Sequence, residues 1–114
     1  MSETNQHILR NLLDIKSKAL DVKVNLIAGG QTEEAAALSE KINRLDEQIE
    51  KLRAKVLDDW LSKVDNLKYE IERINTDVQT AIDGINDNID TARKVVKLTG
   101  YIDDAVKIAA KVAV

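Results

Sequence analysis

The sequence contains no cysteine, proline or phenylalanine, and it has only four glycines in 114 residues. Because no proline interrupts it, the chain can form long helices. Without cysteine there is no disulfide and no thiolate zinc site, and the composition fits a reducing compartment. The few aromatic residues cannot build a thick globular core, whereas the many aliphatic residues suffice for the seam between paired helices. The composition therefore predicts a single all-α domain over residues 1–114, an elongated bundle resembling a coiled coil.

The side chains needed for catalysis or metal binding are also scarce. His7 is the only histidine, so the sequence has neither a Glu-x-x-His pair nor a histidine placed to activate a serine. It has no glycine-rich phosphate loop. The segment "DGINDNID" carries oxygen ligands, but Gly84 directly follows Asp83, whereas a calcium loop requires its glycine at the sixth position. We therefore expect a protein that is not an enzyme and holds no cofactor.

Charge of one sign is not concentrated anywhere. The formal net charge is −3 and is spread along the chain, so nucleic acid is not an expected partner. The start, "MSETNQHILR", lacks the basic region and long apolar run of a secretory signal. No apolar stretch is long enough to span a membrane as one helix. These features predict a cytoplasmic protein.

The first helix is predicted over about residues 5–28. One apolar face recurs at steps of four and three residues: Ile8, Leu12, Ile15, Ala19, Val22 and Leu26. A second line widens this face and predicts that the helix contacts more than one neighbour: Leu9, Leu13, Leu20 and Ile27. The segment "AGGQTEE" then predicts a turn over residues 29–32, with Gly29 left-handed and Thr32 capping the next helix. So short a turn predicts an antiparallel helical hairpin.

After this turn, apolar residues recur about every 3.6 residues from Ala35 to Val96, which predicts one long, straight helix over about residues 33–98. Such a helix would be about 100 Å long. Two places can interrupt it. At "VLDDWLSK", Asp58 or Asp59 can cap a new helix, and this alternative stays open. At Gly84 the apolar period continues on both sides, so we predict that the helix continues.

The last segment is predicted to be a short helix over about residues 102–114, after a stop at Thr99 and Gly100. One interpretation packs it back over the end of the long helix, residues 85–96. The other makes it a docking or membrane-surface segment with its lysines reaching outward. In that case the contacting residues would be Ile102, Val106, Ile108 and Val112.

The first helix is long enough to cover only the beginning of the long helix. The middle of the apolar stripe is therefore predicted to bind another chain, through Trp60, Val64, Leu67, Ile71, Ile74 and Val78. We expect a structural or interaction module that self-associates, most simply as a dimer, or that binds another helical protein. The alternatives are a membrane-surface or pore-type protein, and an adaptor or chaperone for one specific protein.

Overall fold

The computed structural model describes residues 2–54, 65–85 and 91–112, with the side chains of residues 2–5, 65 and 66 left out. Over these ranges the chain forms four α-helices and no strand. They are α1 (Ser2–Ala28), α2 (Thr32–Arg53), α3 (Asp65–Ile85) and α4 (Thr91–Val112). The predicted all-α class is confirmed.

The four helices form a compact bundle rather than an extended rod. α1 packs against α2 and α3, and α4 packs against the same two helices, so α1 and α4 occupy opposite corners. The molecule measures 44 × 22 × 16 Å. Because a helix over residues 33–98 would reach about 100 Å, the prediction of one long helix is wrong. The possible break at Asp58 and Asp59 lies outside the described residues.

The continuity predicted across Gly84 is also wrong. The Lys94 Nζ donates a hydrogen bond of 2.6 Å to the carbonyl oxygen of Gly84. Ten residues of continuous helix would separate these positions by about 15 Å, which a lysine side chain cannot bridge. α4 is therefore not a continuation of α3 but packs back along it.

The buried face of α4 differs from the predicted one because α4 is a separate helix and not a continuation of α3. The predicted stripe, which runs to Val96, places Ala92 and Val96 on the buried face, but both are exposed, Val96 at 69 %. The helix also continues through Thr99 and Gly100, where a stop was predicted. The residues that α4 buries are Thr91, Val95, Leu98, Ile102, Ala105, Ile108, Ala109 and Val112.

The turn between α1 and α2 is where the sequence predicts it, with a different residue in the left-handed conformation. Gly30 has a φ of +79°, whereas the Gly29 N–H still bonds to the Asn25 carbonyl as part of the helical turn. The Gln31 N–H reaches back to the Leu26 carbonyl at 2.8 Å, which completes a Schellman motif. Gln31, rather than Thr32, occupies the N-cap, and its side chain makes no capping bond.

The core follows the predicted faces of α1 and α2 residue by residue. In α1 the buried side chains are Ile8, Leu12, Ile15, Ala19, Val22 and Leu26. In α2 they are Ala35, Leu38, Ile42, Leu45, Ile49 and Leu52. Both sets join the buried faces of α3 and α4 in one hydrophobic core, which uses aliphatic side chains throughout.

Candidate interaction surface

The part of the predicted partner-binding stripe that the structure describes is covered by this chain itself. Ile71, Ile74 and Val78 are buried in the core, and Leu67 is half-buried against it. The face of α3 that carries them packs between α1 and α4. Trp60 and Val64 lie outside the described residues. Because α1 and α4 pack against this face, these four α3 residues are not available to a partner, and that part of the predicted site is corrected.

The C-terminal segment is likewise part of the bundle. Ile102, Ile108 and Val112 are buried, and Val106 is half-buried against the core. The segment packs between α2 and α3 as the second half of α4, instead of lying over residues 85–96 as a separate helix. Of the four helices described, none has the length and apolar character needed to cross a membrane.

A polar network joins α1 to α3 at the surface of the bundle. The Asn75 Nδ2 donates to Asn11 Oδ1 at 2.8 Å and to Asp14 Oδ2 at 3.0 Å. The Lys18 Nζ donates to Asn75 Oδ1 at 3.0 Å and lies 3.0 Å from Asp14 Oδ2. Asn75 thus binds three side chains of α1, a contact that only one register of the two helices provides. Asn75 directly follows the core residue Ile74 in sequence, and this flanking position is the signal that sequence analysis passed over.

The same network sets the charge state of Asp14. The hydrogen bond from Asn75 is the largest influence that lowers the pKa of the Asp14 carboxyl below its ordinary value. Partial burial opposes this effect, and Lys18 adds to it through a hydrogen bond and its charge. The Asp14 carboxylate, which accepts hydrogen bonds from α1 and α3, therefore stays ionised to a lower pH than an ordinary aspartate does.

The groove beside this network has a volume of about 410 Å³, and every residue that lines it is of a polar or charged type. They comprise Asn11, Lys18, Glu72, Asn75, Thr76, Gln79 and Thr80. Small-molecule sites are mostly apolar cavities with a few placed polar groups, so this groove lacks their character. It is the solvated edge of a helix contact.

Two further grooves lie along the contact between α3 and α4, with volumes of about 230 and 250 Å³. In the first groove, the Lys94 Nζ donates its hydrogen bond to the Gly84 carbonyl oxygen. The second mixes acidic and basic side chains: Glu70, Arg73, Asp104, Lys107 and Lys111, with Ile74 and Ile108 beneath. Within the part of the chain that the structure describes, no three His, Cys, Asp or Glu side chains are grouped to hold a metal ion.

The exposed hydrophobic residues define a different surface. Leu20, Val24 and Ile27 are 37, 63 and 52 % exposed and follow one another along α1 at steps of four and three residues. We call these three residues the α1 row. Two other large hydrophobic residues, Tyr69 and Val96, are exposed on α3 and α4. The α1 row is thus the one place among the described residues where several large aliphatic side chains are exposed on a single helical face.

Leu20 and Ile27 belong to the line that the sequence assigned to a second neighbour of the first helix. Part of that prediction is confirmed, because α1 packs against both α2 and α3, and Leu9 and Leu13 of the line pack against the core. Leu20 and Ile27 are exposed instead. Val24, which the sequence analysis did not single out, lies between them.

Comparison with known proteins adds no relative: no family model, no curated protein and no solved structure matches this chain. The described surfaces offer helix-pairing contacts and one apolar row. They bring together no set of side chains recognisable as a nucleophile with its base.

Proposed function

We propose that this chain is a non-enzymatic helical module that acts by self-association, and that two copies meet through the α1 row. One observation carries the proposal. Of the five large hydrophobic side chains that are exposed among the described residues, three lie in this row. Single exposed hydrophobic residues are ordinary in monomers, whereas adjacent ones indicate an interaction surface.

The size of the row sets the expected strength of the contact. The exposed fractions of Leu20, Val24 and Ile27 add up to about one and a half fully exposed side chains in each copy. Burying both rows in a dimer would therefore contribute about 4–9 kcal/mol, at about 1.5–3 kcal/mol for each side chain. Because association itself costs at least about 4 kcal/mol, we expect a dimer that forms reversibly with concentration.

Solution molar mass tests this proposal. The net gain of at most about 5 kcal/mol corresponds to a dissociation constant of about 0.2 mM or weaker. Light scattering from tens of micromolar to several millimolar should therefore show the mass rising from 12.7 kDa toward twice that value. Val24→Asp should remain monomeric over the same range, because a charge in the centre of the row would be desolvated in the dimer. Val96→Asp is the matched control, since Val96 is as exposed as Val24 and lies on α4, away from the row.

A wild-type mass that stays at 12.7 kDa at every concentration would overturn self-association. Equal loss of the dimer in Val24→Asp and Val96→Asp would show that the α1 row is not the dimer contact. An adaptor or chaperone would use the α1 row to bind a different protein. A wild-type chain that stays monomeric would favour these two alternatives over self-association. The membrane-surface and pore-type alternatives rest on residues such as Ile102 and Ile108, which this fold buries, and no observation favours them.

A further inference from the structure

The α1 row is the exposed part of a longer heptad pattern on the outer side of α1. Starting from Leu13, the positions follow steps of four, three, four and three residues: Leu13, Ser17, Leu20, Val24 and Ile27. Leu13, Leu20 and Ile27 correspond to the d positions of a coiled coil, and Ser17 and Val24 to the a positions. Leu13 packs against the core of its own bundle, so the seam that faces away from the core consists of Ser17 and the three residues of the α1 row.

From this outward-facing seam we infer that the two copies associate in parallel, with α1 lying alongside α1 of the second copy. The inference rests on the proposed self-association and adds its orientation. Two independent features of α1 carry it, the charges beside the seam and the match of its apolar positions.

The charges beside the seam are opposite in sign on its two sides. Lys16 and Lys23 occupy the g positions, and Asp14 and Asp21 occupy the e positions. In a parallel pair the g side of one helix faces the e side of the other, so Lys16, which already pairs with Asp46 of its own α2, would also face Asp21 of the second copy. In an antiparallel pair, g faces g and e faces e, which places lysine near lysine and aspartate near aspartate. Charge complementarity therefore favours the parallel arrangement.

The apolar positions favour the same orientation. In a parallel pair each position meets its own copy, so leucine meets leucine at 20, valine meets valine at 24 and isoleucine meets isoleucine at 27. An antiparallel pair that sets Leu20 against Val24 sets Ile27 against Ser17. The antiparallel arrangement thus buries a polar residue against one of the three exposed aliphatic side chains of the α1 row.

The neighbouring helix α2 carries short side chains on the side of the seam where a second copy would lie. Lys16 contacts Asp46 of α2, which shows that α2 lies on the lysine side of the seam. The positions on the same face of α2 as Asp46 include Ala36, Ser39 and Asn43, at steps of three and four residues. These short side chains permit the close approach of another helix, and the two polar ones can accept or donate hydrogen bonds at its edge.

Cysteine cross-linking separates the two orientations, because the natural chain contains no cysteine. Three single variants are prepared: Leu20→Cys, Val24→Cys and Ile27→Cys. Under mild oxidation a parallel pair brings each introduced thiol opposite its own copy, so all three variants should form covalent dimers. An antiparallel pair brings at most one of the three positions opposite itself. Val96→Cys is the control for collisional cross-linking, since that residue is exposed on another helix.

A charge reversal provides a second, non-covalent measurement. Asp21→Lys should raise the dimer dissociation constant about tenfold at low salt, because two exposed ion pairs are lost in the symmetric dimer. The same change should have little effect at high salt, where such pairs are screened. Asp21 is exposed and makes no contact on which the bundle depends, so the variant should fold normally.

The outcomes separate the orientation from the proposed function. Covalent dimers of all three variants, with the Val96→Cys control negative, support the parallel pair. A wild-type dimer in which only one variant cross-links would overturn the parallel orientation and leave self-association standing. Tighter dimerisation of Asp21→Lys would overturn it as well. A wild-type chain that is monomeric throughout would remove the proposed function and the orientation together.

Discussion

Replacing Asn75 by alanine should destabilise the bundle by about 1–2 kcal/mol. The substitution removes one hydrogen bond to the neutral Asn11 and two to the charged Asp14 and Lys18. Fully buried, such bonds would contribute about 4–7 kcal/mol in total. The Asp14 side chain is 51 % exposed and keeps its contact with Lys18, so water and the remaining partner replace much of what is lost. Alanine also returns up to about 0.5 kcal/mol of helix propensity.

Thermal unfolding followed by circular dichroism measures this effect. For a domain of this size the expected loss lowers the melting temperature by about 4–10 °C at neutral pH. Asn43→Ala is the matched control, because Asn43 is exposed in the middle of α2. It gains the same helix propensity and should leave the melting temperature unchanged or slightly raised.

The pH dependence distinguishes the network from a general loss of packing. The pKa of Asp14 is lowered in the folded state, chiefly by Asn75, so this stabilisation is present above the unfolded-state pKa, near 3.8. It disappears as the pH falls through the lowered folded-state pKa. The difference between wild type and Asn75→Ala should therefore narrow in acid, and the pKa of Asp14 should rise in the variant. A melting temperature no lower than that of Asn43→Ala, or a difference unchanged in acid, would refute the network.

Other substitutions test the backbone and the core by denaturant or thermal unfolding. Gly100→Ala should stabilise the protein by up to about 1 kcal/mol, because Gly100 is inside α4 and no atom would obstruct the added methyl group. Gly30→Ala should instead destabilise it by about 1–2 kcal/mol, since residue 30 has a positive φ. An equal effect at the two glycines would contradict this assignment. Ile49→Ala should cost about 2–5 kcal/mol. Ile71→Asp should abolish the cooperative transition by burying an unpaired charge, and a folded, merely dissociated variant would show that Ile71 lies at an interface.

The faces of α1 and α2 could be predicted from the sequence because local signals suffice there. Each apolar stripe runs without interruption, and the paired glycines at 29 and 30 mark the turn between them. The assignment of the left-handed residue was one position off. Which of two adjacent glycines adopts a positive φ depends on where the last helical hydrogen bond forms. The spacing of apolar residues in the sequence carries no information about that bond.

The reversal of direction between α3 and α4 could not be predicted from periodicity, because the apolar stripes on the two sides of it are in phase. Ile82 and Ile85 on one side and Ile89 on the other keep the helical spacing, so the pattern indicates one helix. That extrapolation selects Ala92 and Val96 as the inward positions of α4. The structure buries Val95 instead, because packing against α2 and α3 decides the face once the chain has turned back. The cluster of Asp and Asn residues around Gly84 was the local sign of the turn.

The location of the unpaired apolar surface depends on this topology. Treated as one long helix, the chain leaves the stripe around Ile71 uncovered, and the sequence therefore assigns the partner to that stripe. In the four-helix bundle each helix covers the inner face of two others, so the stripe around Ile71 needs no partner chain. A widened apolar face, as on α1, has two physical explanations: a second neighbour within the bundle, or a neighbour outside it. Leu9 and Leu13 follow the first explanation, whereas Leu20 and Ile27 are exposed together with Val24 and leave the second in place.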